Sequence, residues 1–131
     1  MANKESYMFK ARTNEGYLFK VLTELLQNNL KTACLVLNEN GISLRMTDNL
    51  KKTLIDIKMD ADNFQVYKHK YNCNKMIGLN LSHLYRMLKS VKKKDTVELF
   101  IQENSDNNFG IRIIPKDNTR ITTSYVKIQS I

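Results

Sequence analysis

Apolar residues recur at three- and four-residue intervals in two stretches of the chain, and this spacing predicts two amphipathic helices. The second stretch, residues 81–91, places four apolar side chains on one side: Leu81, Leu84, Leu88 and Val91. The first stretch, residues 17–30, is expected to bury a leucine row together with Phe19: Leu18, Leu22, Leu25 and Leu26. Each helix therefore requires an apolar surface that it can cover.

Between and around these stretches, apolar and polar residues alternate as they do in antiparallel strands with one buried face. Ile42, Leu44 and Met46 alternate with polar residues, and the preceding Asn-Glu-Asn-Gly segment, residues 38–41, is typical of a hairpin turn. The pattern predicts a polar loop at 103–108 and strands at residues 7–12, 32–37, 41–47, 53–59, 76–79, 96–102, 109–115 and 120–131, and it offers 64–67 as a candidate for one further short strand.

The predicted order of one strand, one helix and three strands occurs twice, at about residues 7–67 and 75–131. We therefore expect one α+β domain, residues 1–131, built from two βαβββ repeats. In this interpretation two four-stranded antiparallel units join edge to edge, with the sheets on one face and both helices on the other. The polar sides of the two helices then share one surface.

The formal net charge of +8 gives information about the binding partner rather than about the fold. It indicates a polyanion, of which nucleic acid is the commonest, ahead of an acidic protein or an anionic membrane surface; a basic surface that aids solubility is the alternative. Arg86 and Lys89 fall opposite the leucines of the second helix, and Lys92, Lys93 and Lys94 follow it. This side of the helix is therefore the predicted contact with an anion.

Other chemistries lack support in the sequence. Cys34 and Cys73 are too far apart for a metal cluster or a disulfide framework, and no apolar stretch reaches membrane-spanning length. A nuclease would need acidic residues such as Asp56, Asp60 and Asp62, but no nucleophile–base pair or phosphate-binding glycine loop accompanies them. We therefore expect no enzyme activity, no metal, no cofactor, no small-molecule substrate and no membrane partner.

Several short motifs occur in a fixed order along nearly the whole chain. They are M-F-K-A-R at 8–12 followed by Gly16 and the leucine-rich helix, Ala33-Cys34, G-I-S-L-R-M-T-D at 41–48, G-L-N-L at 78–81 and S-Y-V-K-I at 124–128. No single motif is specific, but the ordered set resembles the N-terminal domain of DNA sliding clamps of the proliferating cell nuclear antigen type.

The resemblance implies a homo-oligomeric ring around double-stranded DNA, in which helices line the hole and sheets form the rim. Three two-domain subunits would close head to tail and tether DNA polymerase and other clamp-binding proteins for replication and repair, in the nucleus or in a cytoplasmic viral compartment. The chain stops at Ile131, where the interdomain linker of the family would begin. We favour half a clamp subunit, cut at the domain boundary, over a system of more and smaller subunits.

Positions that match the family's functional residues differ in how well they keep its character. For DNA contacts, Arg86 and Lys89 match well, the first helix keeps only Lys20, and Lys92 and Lys93 add charge. The groove for a partner peptide would include three residues, of which only the leucine is apolar as the family expects: Thr47, Lys52 and Leu54. The family position of Tyr125 implies a subunit interface, although an ordinary cross-strand aromatic residue explains it equally well.

Two further interpretations depend on this resemblance. The basic charge and the lysine- and asparagine-rich composition lead us to hypothesise a divergent clamp from a large DNA virus. The alternative function is a monomeric DNA-binding or transcription accessory factor that uses the clamp fold without a ring.

Overall fold

The structure is a computed structural model that describes residues 6–27, 32–47, 53–117 and 119–129. Nine strands, two α-helices and one short 3-10 helix lie in these ranges. In chain order the strands and α-helices are β1 (Tyr7–Thr13), α1 (Gly16–Leu26), β2 (Thr32–Asn38), β3 (Gly41–Thr47), β4 (Thr53–Asp60), β5 (Val66–His69), β6 (Lys75–Asn80), α2 (Leu81–Leu88), β7 (Thr96–Gln102), β8 (Ser105–Ile114) and β9 (Thr122–Lys127). The α+β class is confirmed, and each half contains the order β-α-β-β-β, with β5 as an additional strand after the first.

The strands form two antiparallel sheets whose composition differs from the expected pair of four-stranded units. One sheet has the order β5-β1-β7-β8-β9 and the other β4-β3-β2-β6. The two halves pair with each other in both sheets, because β1 lies between β5 and β7 and because β6 lies beside β2. The sheets do meet edge to edge, where Gly78 and Gln129 exchange backbone hydrogen bonds of 2.8 and 3.3 Å.

The core lies between the helices and the inner faces of both sheets. In the five-stranded sheet, Phe9 and Ala11 of β1 face inward beside Ile101 and Leu99 of β7, and all four are buried. The α2 stripe is confirmed, since all four of its predicted residues are buried: Leu81, Leu84, Leu88 and Val91. Because α2 ends at Leu88, Val91 reaches the core from the segment that follows the helix.

The expected leucine row of α1 is wrong in part. Leu18 and Leu25 are 54% and 66% exposed, whereas Gly16, Phe19 and Thr23 are buried. A Cβ on Gly16 would collide with the side chain of Val97, so glycine lets α1 approach β7 closely. Thr23 can be buried because its hydroxyl donates a 3.0 Å hydrogen bond to the carbonyl oxygen of Lys20.

The turns agree with the sequence prediction better than the buried face of α1 does. Asn38 Oδ1 accepts hydrogen bonds from the backbone of Asn40 and Gly41, and Gly41 has a φ of 148°, as the predicted hairpin turn requires. The polar loop expected at residues 103–108 is shorter, because β8 already begins at Ser105. The first residues of β8 are polar and partly or fully exposed, so the sequence pattern does not distinguish them from a loop.

Candidate nucleic-acid interface

The two helices lie side by side and run in opposite directions. Near the end of α1, the hydroxyl of Tyr85 donates a 2.9 Å hydrogen bond to Oε2 of Glu24. Nearer its start, Nζ of Lys20 donates a 3.3 Å hydrogen bond to the carbonyl oxygen of Val91, just after α2. These contacts hold Lys20 and the end of α2 on one surface, as the sequence predicted.

The exposed side of α2 carries the two cations that the pattern placed opposite the leucines. Arg86 and Lys89 are both exposed, while Leu84 and Leu88 on the other side are buried. Asn80 caps the helix by accepting a 3.0 Å hydrogen bond from the backbone N–H of His83. Basic residues near the C-terminal end are also favoured by the partial negative charge there.

A tight turn after α2 presents three lysines to solvent. Oδ2 of the buried Asp95 accepts a 2.9 Å hydrogen bond from the backbone of Lys92, and the backbone of Asp95 donates one to the carbonyl oxygen of Lys92. The side chains of Lys92, Lys93 and Lys94 are all exposed. Lys116 lines the same shallow depression and adds a fourth cation, next to the exposed carboxylate of Asp117.

Tyr17 links the two groups of cations and was missed by the sequence reasoning. Its ring lies 5.1 Å from Nζ of Lys20 and 6.0 Å from Nζ of Lys93, within the range of cation–π attraction. The available signal was its spacing of three residues from Lys20 on a helix. Lys116 was missed as well, and its only signal was charge beside Pro115 in a turn.

Electrostatically, α1 is the weaker half of this surface. Lys20 is half-buried, and Glu24 lies one turn further along the same helix and is exposed. The hydrogen bond that Tyr85 donates to Glu24 raises the pKa of the tyrosine. The cations with free access to a ligand are therefore concentrated on α2 and in the turn after it.

Of the remaining predicted site residues, the structure describes the side chain of Tyr125 alone. Lys52 and the side chains of Thr47 and Leu54 lie outside the described part of the structure. Tyr125 is 46% exposed, and its ring packs edge-on against Phe100 with a centroid separation of 5.9 Å. An ordinary cross-strand packing role for Tyr125 is thus present within the chain.

Membrane-spanning helices and metal sites are two other features that the described residues could have contained. None of the described helices is long and apolar enough to cross a membrane. Likewise, within the described ranges no three His, Cys, Asp or Glu side chains come together in a way that could hold a metal ion.

Comparison with known proteins connects this arrangement to a family. A relative from Plasmodium falciparum (isolate 3D7), "Proliferating cell nuclear antigen 2", is 31% identical over 123 residues, which are 93% of this chain and 46% of the relative. "Probable DNA polymerase sliding clamp 1" of Paramecium bursaria Chlorella virus 1 is 26% identical over 144 aligned positions, 97% of this chain and 53% of that protein.

The chain spans about half the length of these two relatives. Residues 8–131 match the model of the family described as "Proliferating cell nuclear antigen, N-terminal domain". The expected resemblance is confirmed, and the chain belongs to this family.

Proposed function

We propose that this chain is the N-terminal domain of a DNA sliding clamp, a processivity factor that surrounds duplex DNA and tethers replication and repair enzymes, including a DNA polymerase. The observation that carries the proposal is the exposed cationic surface formed by α2 and the following turn. Its proposed duplex contacts are Lys20, Arg86, Lys89, Lys92 and Lys93.

The chemistry of these contacts suits a clamp because it attracts DNA without reading its sequence. Lysine and arginine contacts to phosphate supply attraction that is the same at every base pair. A rigid helix packed on a sheet holds such cations at a fixed distance from a rod that moves past them. Side chains that read base edges would instead favour particular positions and slow sliding.

The finer features of the assembly are part of the same proposal. Residues 1–131 would form one domain with repeats at about 7–67 and 75–131, and three two-domain subunits would close a ring. Tyr125 would lie near a subunit boundary, and the groove for a partner peptide would include Thr47, Lys52 and Leu54. The site of action would be the nucleus or a viral replication compartment, and the protein would catalyse no reaction.

The test replaces two of the α2 cations and measures the salt dependence of duplex binding. In fluorescence anisotropy with a short labelled duplex, Arg86→Ala/Lys89→Ala should weaken binding and lower the slope of log K against log salt by about 0.9 for each lost phosphate contact. The matched control, Lys58→Ala/Lys70→Ala, removes the same charge from two exposed lysines elsewhere.

The control should bind nearly as tightly as the parent chain. Equal slopes in the parent and the α2 variant would remove Arg86 and Lys89 from the site. Equal losses in the two variants would mean that overall charge, rather than this surface, attracts the duplex.

A further inference from the structure

A second group of cations lies on the side of the five-stranded sheet that faces away from the core, here called the outer face. Directly paired residues of neighbouring strands carry side chains on the same face. Lys10 of β1 pairs with Lys68 of β5, and Arg12 and Arg112 flank Glu98 in the next row. The outer cation cluster is defined as Lys10, Arg12, Lys68 and Arg112.

Glu98 fixes three of these cations in place. Its side chain is 1% exposed, and its carboxylate accepts hydrogen bonds from Arg12 Nε at 2.7 Å, from Arg12 Nη2 and from Arg112 Nη1 at 3.0 Å. Nζ of Lys10 lies 3.9 Å from the same carboxylate. Burial alone would raise the pKa of Glu98, but the Arg12 hydrogen bond and the charges of Lys10, Arg12 and Arg112 hold that pKa below its ordinary value.

Aromatic rings beneath the cations complete a built surface. The guanidinium carbon of Arg112 lies 4.9 Å from the ring centroid of Phe100, and Nζ of Lys10 lies 4.8 Å from that of Tyr7. A Cβ at Gly110 would collide with the Phe100 ring, so the glycine makes room for it. The charged groups of Lys10, Arg12 and Arg112 are therefore held close to the sheet surface by contacts with Glu98 or with these rings.

The cluster keeps more positive charge than Glu98 can neutralise. Three of the four cations contact the one carboxylate, Arg12 is 38% exposed, and the fourth cation, Lys68, is exposed. Cations fixed in advance lose little freedom when they bind an anion. The cluster already binds one carboxylate: Arg12 donates to Oε2 of Glu98 and Arg112 to Oε1, and charged hydrogen bonds from arginine to carboxylates are strong in general.

We propose that the outer cation cluster docks an acidic, Asp- or Glu-rich segment of a protein partner. The choice of a protein rests on the proposed function, because the duplex would occupy the helix side and the sheet separates the two faces. A single-stranded nucleic acid fits less well, since bases need open aromatic faces and the exposed ring on this face, Tyr125, lies on β9, at the opposite edge of the sheet from Lys68. Phe100 is buried, and Lys10 lies over Tyr7.

The probe is a short fluorescein-labelled peptide of alternating Glu and Gly, with the Gln–Gly peptide of equal length as the neutral control. By anisotropy at low salt, the 131-residue chain should bind the Glu peptide and not the Gln peptide. Lys10→Ala/Lys68→Ala should weaken this binding about fivefold, as the loss of exposed charge pairs implies. Arg86→Ala/Lys89→Ala removes the same charge from α2 and should change it less than about twofold.

A labelled oligothymidylate, titrated against the same proteins, serves as the single-stranded nucleic-acid probe. Three results would overturn the proposal: equal binding of the Glu and Gln peptides, equal weakening by both double variants, or loss of oligothymidylate binding in the outer-face variant with peptide binding kept. If Lys10→Ala/Lys68→Ala does not fold, Lys68→Glu alone reverses one exposed charge and should weaken peptide binding at least as much. Duplex binding is measured on the same proteins. If the α2 variant keeps duplex binding while the outer-face variant loses peptide binding, the proposed function fails and the docking surface stands.

Discussion

Replacing Glu98 by Gln tests whether its carboxylate holds the outer face together. The change keeps the side-chain size but removes the charge, and it places an amide N–H₂ beside two guanidinium groups. Charged hydrogen bonds of this kind contribute about 1.5–3 kcal/mol each to stability. Breaking a fully buried ion pair costs about 3–5 kcal/mol.

The structure sets the expected loss below that upper figure. Arg12 and Arg112 are 38% and 22% exposed, so water can solvate them once the carboxylate is gone. We therefore expect Glu98→Gln to lower the free energy of unfolding by about 1.5–3 kcal/mol at neutral pH. For a chain of this size that corresponds to a fall in Tm of about 5–10 °C. Glu103→Gln, at an exposed turn, is the matched control and should change Tm little.

The pH dependence gives the assay its second readout. Because the pKa of Glu98 is lowered in the folded chain, its contribution is complete above the unfolded-state pKa and is lost as the pH falls through the folded-state pKa. Urea unfolding of parent and variant should therefore differ at pH 7 and converge in acid. A difference below about 0.5 kcal/mol at pH 7, or one that persists unchanged at acid pH, would refute the reasoning.

Two further substitutions test local features. Asn80→Ala removes the α2 cap and should cost about 1 kcal/mol in urea unfolding, whereas Asn80→Asp should retain most of the stability; equal stability of the parent and alanine variants would rule out a capping role. Gly110→Ala drives a methyl group into the Phe100 ring and should cost about 1–3 kcal/mol by thermal unfolding. That cost should shrink when Phe100 is already Leu, and an undiminished cost in this background would contradict the steric explanation.

The second helix was predictable because its pattern has a single solution. Its apolar residues fall on one side and its cations on the other, and tertiary packing follows that division. In α1 the four predicted leucines also fall on one side, but the helix buries a neighbouring side and leaves Leu18 and Leu25 exposed, so the apolar row did not identify the buried face. The buried positions include Gly16 and Thr23, whose burial depends on contacts with Val97 and Lys20 rather than on hydrophobicity.

The parts of the interface that the sequence did not reveal depend on long-range contacts. Tyr17 joins Lys20 and Lys93 only because the start of α1 lies beside the end of α2. The residues of the outer cation cluster lie on β1, β5 and β8, and Glu98 lies on β7; these strands are separated in the chain. Glu98 gave one signal, as a carboxylate inside the apolar run T-V-E-L-F-I, but its cations could be identified only from the strand order.

The pairing of β1 with β7 has a consequence for how the protein is made. Arg12 and Glu98 are separated by 86 positions, so β1 leaves the ribosome long before its central neighbour has been synthesised. Pairings of such sequence separation form slowly, and an unpaired strand edge invites association with other chains. A premature stop before β7 would leave the sheet around β1 without its middle strand. During synthesis, one edge of β1 therefore stays open to association with other chains until β7 has been synthesised.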